Sequence, residues 1–130
     1  MKLTTMRRVY LREAAVTLIL ARLAACTLRP ARLFAWANRP PRRSRRFVTD
    51  ETRWVAWAVE HIGARMKAAS LPRALAAHAM LRRRGIASRL CLGVAQQDGV
   101  LETQAWVETG ADTIVGEDSG FTRLAAFGPT

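Results

Sequence analysis

The chain has few cysteines, few histidines and no long apolar run. Only Cys26 and Cys91 occur among 130 residues, which excludes a disulfide framework and favours a reducing compartment, so we expect a cytoplasmic protein. His61 and His78 are the only histidines and match no zinc-ligand spacing. We therefore expect no metal and no cofactor.

The N-terminal segment has a basic start and an apolar stretch at residues 14–21, as a weak signal peptide would. Charged residues bracket that stretch, which is far shorter than the ~20 residues that span a bilayer. Apolar residues recur at helical spacing, so the pattern predicts an amphipathic helix over 7–28 that packs on the rest of the protein or on a partner. Contact of residues 7–28 with a membrane surface is the alternative.

Acidic residues are scarce except near the C-terminus. Residues 1–48 hold twelve Lys/Arg and one acid, residues 49–95 hold eight and three, and residues 96–130 hold one and six. The three net charges are +11, +5 and −5, which sum to the overall +11. This asymmetry predicts a basic face that meets an anionic partner, which charge alone leaves open as nucleic acid, membrane or acidic peptide.

The segment 38–47, NRPPRRSRRF, has the composition of a linker. It is interpreted as a solvated connector, or as a basic strap in which Arg42, Arg43, Arg45 and Arg46 dock an anionic partner. The predicted organisation is a basic helical arm with this linker over 1–48, followed by a domain over 49–130.

Helical patterns continue on both sides of the linker. A short helix is predicted over 31–36, another begins at Thr49, and a third covers 70–84. Ser70 is predicted to cap the third helix, and Gly85 to close it in a left-handed turn.

After residue 88 the apolar period changes from 3.6 to 2. Strands are predicted over 90–94, 101–108 and 113–115, with an Asp98-Gly99 hairpin turn after the first. Residues 121–127 are predicted to be a further strand or a closing turn. The predicted fold class is α+β: N-terminal helices, then a small antiparallel meander on which helix 70–84 lies.

Four short sequence motifs within residues 70–108 resemble those of one known family. SLPRALA (70–76), LRRRGIASRL (81–90), GV (93–94) and QAWVE (104–108) resemble the lasso-peptide B proteins, the transglutaminase-like leader peptidases of bacterial microcin processing. The resemblance implies a transglutaminase- or papain-like core. It also implies three partners: a precursor peptide, a small leader-binding protein and a lasso cyclase resembling asparagine synthetases.

The family's catalytic residues are a Cys at a helix N-terminus, a His on the adjacent strand and an Asp on the next. Carried over to this chain, the Cys position is Ser70, the His position is Gln104, and the acid falls at Glu117 or Asp118. A serine hydroxyl needs a base to take its proton, and glutamine has no titratable nitrogen. The expectation is a pseudoenzyme, inactive as a peptidase.

Two alternatives are kept. One is an active peptidase that uses Ser70 or Cys91 as an unorthodox nucleophile. The other is a basic nucleic-acid-binding module, motivated by the arginines of 39–46 and 82–84 but supported by no recognition motif, so no specific nucleic acid is expected.

Overall fold

The structure is a computed structural model that describes residues 3–39, 49–109, 112–116 and 120–128. Four helices precede four strands; the helices and the first three strands are as predicted, and the fourth strand was one of two alternatives for residues 121–127. The helices are α1 (Leu3–Thr27), α2 (Pro30–Ala37), α3 (Thr49–Met66) and α4 (Ser70–Arg83), and the strands are β1 (Arg89–Gln97), β2 (Val100–Thr109), β3 (Asp112–Val115) and β4 (Thr122–Phe127). The predicted α+β fold class is confirmed.

The strands form one antiparallel sheet in the order β3-β2-β1-β4. Asp98 and Gly99 have φ angles of 52° and 77°, so the predicted two-residue hairpin turn joins β1 to β2. The first three strands are the predicted meander. Strand β4 returns to the opposite edge and pairs with β1, with Leu90 opposite Phe127, so residues 121–127 contain a strand rather than a closing turn.

Helix α1 packs against α3 and α4. Its inner side chains, including Tyr10, Ala14 and Leu18, are buried in the same core as α4 and the sheet. An ion pair joins Glu13 of α1 to Arg84 at the end of α4. The amphipathic helix predicted over 7–28 is therefore confirmed as a helix packed on the rest of the protein.

The core includes residues on both sides of the predicted boundary at residue 48. The basic strap of residues 42–46, like the boundary itself, lies outside the described residues. Within the described ranges, no helix has the length and apolar character needed to cross a membrane.

Helix α4 carries the candidate site at its N-terminus and lies against β1 and β2. Its inner face is rich in alanine, with Ala74, Ala76 and Ala77 fully buried, and small side chains let a helix lie close to a sheet. The helix ends where Gly85 adopts a φ of +73°, as the sequence predicted.

Candidate functional site

Ser70 is the first residue of α4 and does not cap it. The N-cap position is Ala69, which is extended, and no side chain there makes a capping hydrogen bond. The predicted capping role of Ser70 is therefore wrong. Its Oγ instead accepts a hydrogen bond from the backbone N–H of Ala105 in β2, at 3.1 Å.

The open part of β2 explains this contact. Strand β3 pairs with β2 at Val107, Glu108 and Thr109, so Ala105 lies beyond the paired stretch. A part-buried backbone N–H needs an acceptor, and the Ser70 hydroxyl supplies one. The bond fixes the start of α4 against the middle of β2, although Ser70 and Ala105 are 35 positions apart.

Ser70 and Gln104 line the same cavity of about 350 Å³, together with Ala68 and Gly116. The structure thus brings together two of the positions that the resemblance predicts to be triad-equivalent. The other candidates, Glu117 and Asp118, lie outside the described residues, directly after Gly116 in the chain.

Gly116 holds the chain close to β2 at the cavity wall. Its φ is +84°, and an added Cβ would lie 2.8 Å from the carbonyl oxygen of Ala105. A side chain at this position would be strained and would collide with β2. The glycine therefore permits the close approach of the chain end of β3 to the strand that carries Gln104.

Two charged side chains complete the lining of the cavity, Glu60 of α3 and Arg73 of α4. Arg73 Nε donates a hydrogen bond to the Ala68 carbonyl at 2.9 Å, and its Nη1 lies 3.9 Å from Glu60 Oε1. That oxygen is shielded from solvent and has no hydrogen-bond partner among the described residues. Sequence reasoning missed Glu60 because nothing in its local pattern distinguishes it from an ordinary solvated helix residue.

Neither imidazole lines the Ser70 cavity. His78 is buried, its Nε2 lies 2.8 Å from the Ala37 carbonyl oxygen, and its Nδ1 lies 2.7 Å from Ser88 Oγ. His61 stacks on Trp57 with ring centroids 5.4 Å apart and lines a separate hollow. The described part of the chain therefore places no imidazole base beside Ser70.

Cys91 is fully buried in β1, directly opposite Trp106 of β2. Burial raises the pKa of its thiol above the ordinary value, and the nearby Glu108 carboxylate raises it further. Since the thiolate is the reactive form, this environment opposes nucleophilic chemistry. Cys91 does not line the cavity that holds Ser70.

The residues after Gln104 hold β2 in place. The Trp106 indole N–H donates to Glu108 at 2.9 Å, and the same carboxylate accepts hydrogen bonds from Arg89 and Arg123 at 3.1 and 3.2 Å. The indole ring covers Gly93, where an added Cβ would lie 2.6 Å from it. This network ties β2 to β1 and β4 beside the cavity, which limits the movement of the strand that carries Gln104.

In this site the N-terminus of a helix lies against the second strand of an antiparallel sheet. The profile of the transglutaminase-like superfamily matches residues 15–128. The chain belongs to the transglutaminase-like superfamily. No curated protein and no solved structure matches the chain significantly.

In this transglutaminase-like chain Ser70 and Gln104 offer hydrogen bonds rather than proton transfer. Ser70 retains a hydroxyl hydrogen to donate, and the Gln104 amide can both donate and accept. Neither group is a base near neutral pH. The cavity is therefore suited to hold polar groups such as peptide amides. The one carboxylate among its described lining residues, Glu60, lies beside Arg73, and position 104 holds no imidazole that could activate Ser70.

Proposed function

We propose that this chain acts in lasso-peptide maturation as a member of the leader-peptidase family that binds a precursor peptide without cleaving it. The observation that carries the proposal is the cavity in which Ser70 and Gln104 lie together without an imidazole. The sequence motifs within 70–108 connect that geometry to the lasso-peptide B proteins. The proposed partners are the precursor, a small leader-binding protein and a lasso cyclase, in the bacterial cytoplasm.

Binding without cleavage fits the groups that remain in the cavity. Ser70 and Gln104 supply neutral donors and acceptors, and Glu60 and Arg73 supply one charge of each sign. These groups can satisfy the amides and side chains of a bound peptide. No imidazole lines the cavity, and the one carboxylate among its described lining residues, Glu60, lies 3.9 Å from Arg73.

The two alternative functions have less support. An active peptidase would need a base for Ser70 or a reactive Cys91, whose thiol is buried and has a raised pKa. A nucleic-acid module has no recognition motif in the sequence, and Glu13 offsets part of the charge at residues 82–84 because it pairs with Arg84 and lies 3.6 Å from Arg83. Those arginines connect helices of this chain.

The test is a cleavage and binding assay with a precursor peptide taken from a short reading frame beside this chain's own. The precursor and its leader-binding protein are mixed with the unmodified chain or with the Ser70→Cys/Gln104→His double variant. Mass spectrometry measures leader cleavage, and co-elution measures binding. We expect both proteins to bind and only the double variant to cleave.

Each other result overturns part of the proposal. Cleavage by the unmodified chain would contradict inactivity, and Ser70→Ala and Cys91→Ala would then identify the nucleophile. Failure of both proteins to bind the precursor would contradict the lasso-peptide assignment. The absence of short precursor and cyclase reading frames beside this chain's own would also contradict the lasso-peptide assignment.

A further inference from the structure

A second concave surface lies along α4, away from Ser70. It is a groove of about 670 Å³ between α1, α2 and α4, which we call the helical groove. Leu20, Ala24 and Leu28 form its wall on the α1 side, and Trp36 of α2 and Ala79 of α4 also line it. None of these residues lines the Ser70 cavity, so the helical groove is a separate feature.

The apolar wall of the groove continues onto the outer surface of α1. Leu20 is 59% exposed, and Val16 and Leu23, close to it on the same helix, are 57% and 55% exposed. An apolar patch that extends from a concave groove marks an interaction surface more often than solitary exposed side chains do. The patch faces away from the core that α1 shares with α3 and α4.

The two charged side chains that line the helical groove are both arginines, Arg82 and Arg83, and Glu13 of α1 lies 3.6 Å from Arg83. The sequence has no Asp or Glu between Glu13 and Asp50, or between Glu60 and Asp98, so Glu13, which does not line the groove, is the acid that offsets part of this charge. The groove therefore combines apolar walls with a positive rim.

The two lining arginines are held in position by other groups of the chain. Arg82 Nη1 donates to the carbonyls of Trp36 and Arg39 at 3.0 and 2.9 Å, and its guanidinium lies over the Trp36 ring. Arg83 Nη2 donates to Thr17 Oγ1 at 2.6 Å. Because these arginine side chains are already held in place, they lose less conformational entropy when a partner binds.

We propose that the helical groove docks an acidic amphipathic helix of a partner protein or peptide. Its apolar residues would enter between α1 and α2, and its carboxylates would meet Arg82 and Arg83. This is the helix-in-groove mode, in which side chains spaced by three and four residues enter an apolar channel. The proposal is independent of the function assigned to the Ser70 cavity.

Two other occupants fit the groove less well. A second copy docked through the same face would oppose Arg82 and Arg83 to their own counterparts, and like charges repel. A bilayer surface could contact exposed Val16 and Leu23, but the groove also includes Leu33 and Leu75, which are 6% and 2% exposed. A planar surface does not reach such recessed side chains, whereas a helix that inserts side chains does.

The test uses a labelled amphipathic peptide of about 20 residues, long enough to form a helix, with leucine on one face and glutamate on the other. Fluorescence anisotropy measures its binding to the full chain. Leu20→Glu places a carboxylate on the groove wall. Ile19→Glu is the matched control, because Ile19 is the adjacent residue, is 50% exposed and does not line the groove.

We expect Leu20→Glu to weaken binding about tenfold or more, the equivalent of about 1.4 kcal/mol, and Ile19→Glu to leave it within about twofold. A peptide with lysine in place of glutamate should bind at least about tenfold more weakly. Equal effects of the two variants, or equal binding of the lysine peptide, would overturn the proposal.

Two further measurements test the other occupants. Anionic phosphatidylserine vesicles that displace the peptide, and whose binding both variants weaken equally, would assign the surface to membranes instead. Sedimentation that shows a dimer abolished by Leu20→Glu and unaffected by the peptide would assign it to a second copy. Either result overturns the proposal. A protein that sediments as a monomer and does not bind the vesicles supports it.

Discussion

At the scale of single residues, Ser70 is defined by its hydrogen bond to Ala105 rather than by its place at the start of α4. We expect Ser70→Ala to lower the free energy of unfolding by about 1 kcal/mol, because the part-buried Ala105 N–H loses its acceptor. Amide hydrogen exchange locates the effect. Exchange at Ala105 should accelerate in the variant.

The same experiment contains its own control, the amide of Arg73. A capping hydroxyl at position 70 would accept from the N–H three residues later, whereas in the structure the Arg73 N–H points to the Ala69 carbonyl at 3.4 Å. Exchange at Arg73 should therefore stay unchanged. Faster exchange at Arg73 with an unaltered Ala105 would restore the capping role and refute the contact with β2.

At the scale of secondary-structure elements, His78 joins α4 to its neighbours. It contacts the Ala37 carbonyl at the end of α2 and Ser88 just before β1. A carbonyl oxygen only accepts, so Nε2 carries a proton, and in the neutral ring Nδ1 accepts from the Ser88 hydroxyl. Burial lowers the pKa of His78 below its ordinary value, and the Arg82 charge lowers it further, against the opposing effect of the Ala37 hydrogen bond.

This shift predicts how stability depends on pH. The unfolded chain takes up a proton at His78 near pH 6.5, whereas the folded protein keeps the ring neutral to lower pH. Stability is therefore full above about pH 6.5 and falls as pH decreases, by at most about 1.4 kcal/mol per pH unit, until the folded pKa is passed. Urea denaturation between pH 8 and 5.5 measures the fall.

Two variants and one spectrum assign the fall to the right histidine. His61→Gln should preserve it, since His61 is exposed, and His78→Gln should remove it while lowering stability at every pH. Nuclear magnetic resonance of the unmodified chain should show the pKa of His78 below its ordinary value. A ring that protonates at pH 6.5 in the folded protein would contradict the prediction, whatever the variants do.

At the scale of the whole molecule, local sequence signals were enough to predict the helices and strands but not the contacts that assemble the site. Periodicity and turn residues predicted the helices and the β1–β2 hairpin, because both depend on residues close in sequence. The position of β4 depends on distant contacts, including the stacking of Phe127 on Phe34 of α2 at 4.6 Å. No local pattern could place that strand beside β1.

The candidate site was also predicted only in part: two of its residues were identified from the sequence, but the contacts between them were not. Sequence motifs identified Ser70 and Gln104, and the structure places both on one cavity. The hydrogen bond from Ala105, the arrival of Glu60 from α3 and the close approach of Gly116 all join residues far apart in the chain. Such contacts follow from the packing of α3, α4 and β2, which the sequence pattern does not specify.

We expect the N-terminal helix to unfold as one cooperative unit with the sheet, and a pair of leucines on α1 tests this. Leu18 is fully buried in the shared core, whereas Leu23 is 55% exposed. We expect Leu18→Ala to lower the free energy of unfolding by about 2–5 kcal/mol, and Leu23→Ala to change it by about 0.5 kcal/mol or less. Chemical denaturation followed by both far-ultraviolet circular dichroism and tryptophan fluorescence measures each value.

The two probes also distinguish one unit from two. Trp54 stacks on Tyr10 of α1 and Trp36 lies in α2, so fluorescence is recorded in a Trp36→Phe/Trp54→Phe/Trp57→Phe background in which Trp106 reports on the sheet. If residues 1–48 were a separable arm, Leu18→Ala would melt the arm alone and the fluorescence transition would keep its midpoint. If α1 completes the core, the two signals shift together to a lower midpoint, which is the outcome that the burial of Leu18 against α3 and α4 requires.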